Sequence, residues 1–145
     1  MIDKQLTRNF KLSEFVDSNI ATRKKYAEQY QLTSSIANNI ESLVVNLIQP
    51  LRDLLPDGII HISSGYRCAR VNKDAGGKPN SQHLQGLAAD CTYYEGGVKN
   101  NAKLLKTLFD SGMVYDQAIE EYNGSWAHLS YVTKRKNRMM HFDIN

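Results

Sequence analysis

Cysteine is scarce in this sequence, and that scarcity limits the kinds of site it can build. Only two cysteines occur among 145 residues, and Cys68 and Cys91 form no Cys-x-x-Cys pair. The chain therefore has no thiolate cluster for a closed structural zinc site. A chain of this length can bury a core without disulfide bonds. We expect both cysteines to be reduced thiols, because a protein that starts in the cytoplasm meets reducing conditions.

Long apolar runs and a strong net charge are also absent. Hydrophobic residues make up 41% of the chain and charged residues 23%, with a formal net charge of +3, which is ordinary for a soluble globular protein. Outside the run Lys134-Arg135-Lys136 the basic residues are dispersed, whereas a nucleic-acid-binding surface is denser. These values disfavour disorder, and we expect neither nucleic-acid binding nor insertion into a membrane.

The first residues contain neither an apolar segment nor a small-residue cleavage site, the two marks of a secretory signal. The sequence thus predicts synthesis in the cytoplasm. No internal repeat or linker interrupts the chain, so we expect one domain over residues 1–145. Its N-terminal helical part, about residues 10–55, would pack on an α+β part, about residues 59–133.

The spacing of apolar residues predicts where the helices lie. Between Thr33 and Leu55 these residues recur at intervals of three and four, which indicates one long amphipathic helix that Pro50 interrupts or kinks. The other predicted helices lie near residue 10, before residue 32, and over residues 71–75 and 100–111.

Strands are predicted from β-branched runs and turn residues. The predicted strands are residues 59–63, 87–94, 115–122 and 126–133. Asn123-Gly124-Ser125 joins the last two as a hairpin, because Asn-Gly supplies the positive φ values that such turns need. This order of elements predicts an α+β fold, a mainly antiparallel sheet with helices packed on one face. Residues after Asn137 form either a last strand or a loosely held tail.

One ten-residue segment carries the strongest chemical signal. Residues 81–90 read Ser-Gln-His-Leu-Gln-Gly-Leu-Ala-Ala-Asp, and Trp-Ala-His follows at 126–128. Two imidazoles and one carboxylate suit a single zinc ion, and three protein ligands leave one coordination position for water, as in catalytic sites. A metal would also offset the cost of burying Asp90 unpaired. Cys91 follows Asp90 on a predicted strand, so its side chain should point away from the metal.

The pattern Ser-x-His-x-x-Gly-x-Ala-x-Asp followed by Trp-x-His resembles the zinc D-Ala-D-Ala carboxypeptidase family of bacterial cell-wall peptidases, above all its phage and prophage members. The resemblance runs from about Phe10 through Ser64-Gly65-Tyr66-Arg67 to Asn137-Arg138 and so covers most of the chain. It implies an α+β peptidase that cleaves peptide bonds in peptidoglycan stems. The residues that match the family's zinc ligands are His83, Asp90 and His128.

Hydrolysis also needs a general base, and two adjacent glutamates precede the hairpin turn. Strand alternation sends only one of Glu120 and Glu121 inward. Aligning this strand with the family's version favours Glu121 as the base, with Glu120 as the second choice. Two solvated surface glutamates remain the other alternative. Many relatives instead carry an acidic residue three positions before the last histidine, and here that position is Ser125, which cannot act as a base.

Arg67 ends the segment Ser64-Gly65-Tyr66-Arg67, which directly follows the predicted strand at residues 59–63. Its guanidinium could stabilise the oxyanion of a tetrahedral intermediate or bind a substrate carboxylate through two hydrogen bonds, and the family uses the matching arginine in this way. A surface salt bridge is the alternative. By resemblance the Ser81 hydroxyl contacts substrate or supports the site, with capping or turn bonding as the alternative.

Together these features predict a Zn²⁺-dependent peptidase that acts on peptidoglycan stem peptides. The bond cleaved lies between two D-alanines, as in carboxypeptidases, or between L-Ala and D-Glu, as in endopeptidases. We expect a monomer that serves phage or prophage lysis, and that reaches the wall at lysis or in a virion. The alternative is a non-catalytic zinc-containing module that binds the wall or a partner protein. Hedgehog signalling domains show that this zinc fold can serve binding, and Ser125 favours this alternative.

Overall fold

A computed structural model of the chain describes residues 3–133 and 135–144. Lys134, from the predicted basic run, and the ends of the predicted domain at residues 1–2 and 145 lie outside the described residues. The described residues form helices packed with a largely antiparallel sheet. The predicted α+β class is confirmed.

The first half of the chain is helical and is capped by side chains. Ser18 and Thr33 begin two of its helices, since their hydroxyl oxygens accept hydrogen bonds from the backbone N–H groups of Ala21 and Ile36. The segments are a 3-10 helix at Leu12–Phe15, α1 at Asn19–Lys24, a 3-10 helix at Ala27–Tyr30, α2 at Ser34–Leu43, a π-helical turn at Val44–Ile48 and α3 at Gln49–Asp53.

Pro50 changes the hydrogen bonding of the long predicted helix without ending it. Proline has no N–H, and its ring clashes with the carbonyl four residues earlier in an α-helix. The π-helical turn widens the backbone just before this point, where the Gln49 N–H bonds to the carbonyl of Val44, five residues back. The predicted interruption is therefore a π turn inside a continuous helix rather than a break.

The sheet contains six strands among the described residues. They are β1 (Gly58–Ser64), β2 (Ala88–Glu95), β3 (Val98–Lys99), β4 (Gln117–Glu121), β5 (Trp126–Ser130) and β6 (Met140–Ile144). Their order is β1-β2-β5-β4-β6, with β3 paired to β2. All pairs are antiparallel except β4 with β6. The predicted hairpin is confirmed with shorter strands, and of the described residues after Asn137, Met140–Ile144 form a strand at the edge of the sheet.

Two more helices complete the fold, α4 (Ala69–Asp74) and α5 (Asn101–Ser111). The side chain of Asn100 caps α5, and Gly112 ends it with a φ of 74°. One cluster of buried apolar side chains joins the helices to the sheet, and it includes Leu47, Leu51, Tyr93 and Leu104. No helix among the described residues combines the length and the apolar composition that crossing a bilayer requires.

Candidate metal centre

The register of the central strands places two of the candidate ligands next to each other. In the β2–β5 pair Asp90 lies opposite His128, and residues directly opposite each other share a face of the sheet. The neighbours Ala89 and Cys91 belong to the apolar core, so Asp90 and His128 project from the other face. The Cys91 thiol points away from the site, as predicted, and burial raises its pKa well above the usual value.

His83 reaches the same point from a short 3-10 helix at Gln82–Gln85. The Ser81 hydroxyl caps this helix by accepting a hydrogen bond from the His83 backbone N–H at 3.2 Å. Gly86 ends it with a φ of 73°, and a Cβ there would lie 3.0 Å from the Ile36 carbonyl of α2. Glycine is needed at this turn because it both tolerates positive φ and leaves room for the neighbouring helix.

Three possible ligand atoms converge in this arrangement. The Oδ1 atom of Asp90 lies 3.3 Å from Nε2 of His83 and 3.2 Å from Nδ1 of His128. The ligand atoms of the three residues all lie within 4.8 Å of one another. Zinc–ligand distances of about 2.0–2.2 Å in a tetrahedral site separate neighbouring ligand atoms by about 3.3 Å. The three side chains therefore fit a zinc ion.

The hydrogen-bond partner of the His83 ring further supports a metal ion at this point. Its Nδ1 lies 2.7 Å from the carbonyl oxygen of Gly65, which can only accept, so Nδ1 carries the proton. In a neutral imidazole the Nε2 lone pair then faces the carboxylate of Asp90, and two acceptors oppose each other unless a cation lies between them. A carbonyl behind the imidazole is also the usual way in which proteins orient a metal-bound histidine.

Gly65 itself is fixed by the N-terminal part of the chain. A Cβ at this position would overlap the backbone of Phe15, and the neighbouring Tyr66 N–H donates to the Phe15 carbonyl at 2.7 Å. The carbonyl that orients His83 is thus positioned by the first 3-10 helix.

Arg67 bonds to the carboxylate oxygen that the histidines leave free. Its Nη2 donates to Oδ2 of Asp90 at 3.2 Å, and its Nε donates to the Ser64 hydroxyl at 3.0 Å. The Arg67 side chain is only 16% exposed, so this is a largely buried ion pair and not the surface salt bridge given as the alternative. Burial alone would raise the pKa of Asp90, but the neighbouring His128 and His83 outweigh it and hold the pKa well below its usual value.

The model of the family described as peptidase M15 matches residues 8–130. The chain belongs to the peptidase M15 family. The members are zinc peptidases, so the protein is a metallopeptidase by family, and the match includes all three candidate ligands. No curated protein sequence matches the chain. The M15 match ends with β5, so Arg138 and β6 lie beyond it.

The candidate ligands of this M15 protein line a cleft of about 670 Å³. Its inner wall consists of His83, Asp90 and His128, and its outer wall of Arg138, Phe142 and Ile144. Arg67, Ser81 and Glu121 also line the cleft. Every predicted site residue therefore faces one space, which is large enough for a short peptide segment.

The two candidate bases of the M15 site lie on opposite faces of β4. Glu121 lines the cleft, and its Oε2 accepts a hydrogen bond from the indole N–H of Trp126. Glu120 lines a separate groove of about 310 Å³ between α5 and β6. Strand alternation thus selects Glu121 as the glutamate on the ligand side. Ser125 lies in the hairpin turn, where its hydroxyl donates to the Tyr122 carbonyl.

Sequence reasoning missed the network that attaches the outer wall. Asp116 is 1% exposed and accepts hydrogen bonds from the backbone N, Nε and Nη2 of Arg138 and from Nε2 of Gln82. It thus joins the base of β6 to the helix that carries His83. The alternation of Met140, Phe142 and Ile144 with polar residues was a signal for this strand.

Proposed function

We propose that this M15 protein is a zinc-dependent peptidase that hydrolyses peptidoglycan stem peptides. The observation that carries the proposal is the convergence of His83, Asp90 and His128 within 4.8 Å in a chain of a zinc peptidase family. The cleft around these residues is open to a peptide, and the cationic side chains of Arg67 and Arg138 line it.

In the proposed site His83, Asp90 and His128 would hold the ion. Bound there, zinc would act as a Lewis acid that polarises a peptide carbonyl and makes water more acidic. Glu121 takes a proton from the attacking water and delivers it to the leaving amine. Arg67 fixes the orientation of Asp90 through Oδ2, and its guanidinium donates to the carbonyl oxygen on which negative charge develops, or to a substrate carboxylate. Ser81 contacts substrate from the rim of the cleft.

Several finer points belong to the same proposal. We favour cleavage between two D-alanines slightly over cleavage between L-Ala and D-Glu. A monomeric state, a role in phage or prophage lysis, and delivery to the wall at lysis or in a virion stay predictions.

A second candidate function is a non-catalytic zinc module that binds the wall or a partner protein. The observation that favours it is Ser125, a hydroxyl bonded within a turn, at the position where many relatives carry an acid. This alternative predicts one bound zinc without peptide hydrolysis.

Incubation of the zinc-loaded protein with purified peptidoglycan, followed by mass spectrometry of the products, separates the two. Free D-alanine would identify a carboxypeptidase, and new amino termini on D-Glu an endopeptidase. His128→Ala and Glu121→Gln should release nothing, whereas Glu120→Gln, the matched control on the opposite face, should behave like wild type. A wild-type protein that binds one zinc and releases no product would support the binding module instead.

A further inference from the structure

Trp126 is the only tryptophan of the chain, and its indole contacts the proposed base. In the β4–β5 pair Trp126 lies opposite Glu121, and its Nε1–H donates to Oε2 of that carboxylate. Both side chains line the cleft, and Trp126 is two residues from the candidate ligand His128.

The chemistry of the indole suits it to orient a base without competing with it. An indole nitrogen is a donor only, so it can neither accept nor release a proton during a reaction. A donor on Oε2 fixes the carboxylate plane and leaves Oε1 to accept a proton. Hydrogen bonds that involve an ionised partner are also the stronger ones. A lysine or arginine in the same place would neutralise the base, which a neutral indole does not.

Several contacts keep the indole in this position. The Tyr122 ring lies against it, with ring centroids 4.8 Å apart. The turn between the strands has positive φ values at Tyr122, Asn123 and Gly124, an arrangement that costs energy unless its surroundings fix it. Asn101, which is 2% exposed, supplies such a contact by donating from Nδ2 to the Gly124 carbonyl at 2.8 Å.

A backbone hydrogen bond within the turn adds a second constraint. The Ser125 N–H donates to the Glu121 carbonyl at 3.1 Å, so the turn closes directly on the residue that carries the carboxylate. The helix α5, the turn, the indole and the carboxylate therefore form one continuous chain of contacts. From this geometry we infer that Trp126 is a positioning residue, which orients the Glu121 carboxylate toward the cleft. The effect of this orientation on catalysis rests on the proposed function, whereas the orientation of Glu121 by Trp126 does not.

The single indole gives a direct spectroscopic test. A ¹⁵N–¹H correlation spectrum of the zinc-loaded protein contains one indole N–H signal, which a carboxylate acceptor shifts downfield. Glu121→Ala should move this signal upfield and make its exchange with water faster, and the matched control Glu120→Ala should leave it in place. The inference would be overturned by an indole signal that does not move in Glu121→Ala, or that moves equally in both variants.

Kinetics on peptidoglycan fragments test the consequence. Trp126→Phe keeps an aromatic ring but removes the donor, and we expect kcat to fall about tenfold with KM nearly unchanged, which corresponds to one hydrogen bond to a charged group. Zinc content and melting temperature should match wild type. A rise in KM at constant kcat would show that Trp126 only shapes the cleft, and would contradict a positioning role.

The two readouts separate this inference from the proposed function. If wild type releases no product while its indole signal still responds to Glu121→Ala alone, the peptidase proposal fails and the orientation of Glu121 by Trp126 stands. If wild type is active and the signal does not respond, the peptidase proposal stands and the positioning role fails.

Discussion

The two walls of the cleft differ in burial and in the number of structural elements that hold them in place. The inner wall lies on β2, β5 and the helix of His83, and each of its three residues is at most 9% exposed. The outer wall consists of Arg138, just before β6, and of two residues on β6, Phe142 and Ile144, which are 42% and 38% exposed. One neighbouring strand supplies the pairing of β6. The family match includes the first and ends before the second. The candidate metal ligands thus belong to the constrained part of the molecule, and we expect substrate selection to belong to the other.

Asp90→Ala should have the largest effect, because it removes a member of the inner wall. We expect zinc binding and hydrolysis to be lost, and the free energy of unfolding of the metal-free protein to fall by about 3 kcal/mol, since Arg67 would be left buried without its partner. Metal analysis and urea denaturation measure the two effects. Asp110→Ala, which removes an exposed pair with Lys106, is the control and should change neither.

Asp116→Ala should detach the outer wall and leave the inner wall in place. Four hydrogen bonds end on this carboxylate, and we expect the free energy of unfolding to fall by about 2 kcal/mol. Amide hydrogen exchange over residues 140–144 should become faster, KM should rise, and one zinc should still bind. Loss of zinc in this variant would show that the two walls are not separable.

Phe142→Ala should affect substrate binding alone. A lost apolar contact in a binding cleft changes kcat/KM by about tenfold, and we expect the change to be in KM. The side chain is half-exposed, so stability should change by less than about 1 kcal/mol. Val98→Ala, an exposed position on β3 with 67% exposure, is the matched control. Equal kinetics for Phe142→Ala and wild type would exclude the outer wall from substrate recognition.

Acidification should also weaken the attachment of the outer wall. We expect this effect on stability to be the smallest of the four and the most gradual. Hydrogen bonds from Arg138 and Gln82 hold the pKa of Asp116 below its usual value. The stability that this carboxylate contributes is therefore present above its unfolded pKa of about 3.9 and is lost as the pH falls through the lower folded value. Urea denaturation of wild type and Asp116→Asn should show a stability difference at pH 7 that shrinks toward pH 3. A difference that grows on acidification would contradict this sign.

The strand that carries Asp90 could be predicted from local pattern, whereas the choice of His83, Asp90 and His128 as ligands rests also on the family resemblance and stays a prediction. Residues 87–94 form a strand within one residue of the prediction, and alternation along that strand was enough to direct Asp90 and Cys91 to opposite faces. The helix predicted over residues 100–111 likewise agrees with α5 (Asn101–Ser111) to within one residue. Strand alternation also separated Glu120 from Glu121, although the catalytic role of Glu121 stays a prediction.

The rest depends on contacts between distant parts of the chain. The parallel pairing of β6 with β4 and the bond of Arg67 to Asp90 join segments that no local pattern relates. The π turn before Pro50 could not be predicted for another reason. A proline indicates that the helix is disturbed, but not which form the disturbance takes.

The carbonyl of Gly65 links the metal chemistry to the start of the chain. Because Phe15 leaves no room for a side chain at position 65, the helix Leu12–Phe15 fixes the position of the Gly65 carbonyl, which accepts the hydrogen bond from His83 Nδ1. We therefore expect that a hybrid which takes residues 10–55 from a distant relative would displace His83, unless position 65 and its contact with residue 15 are kept together.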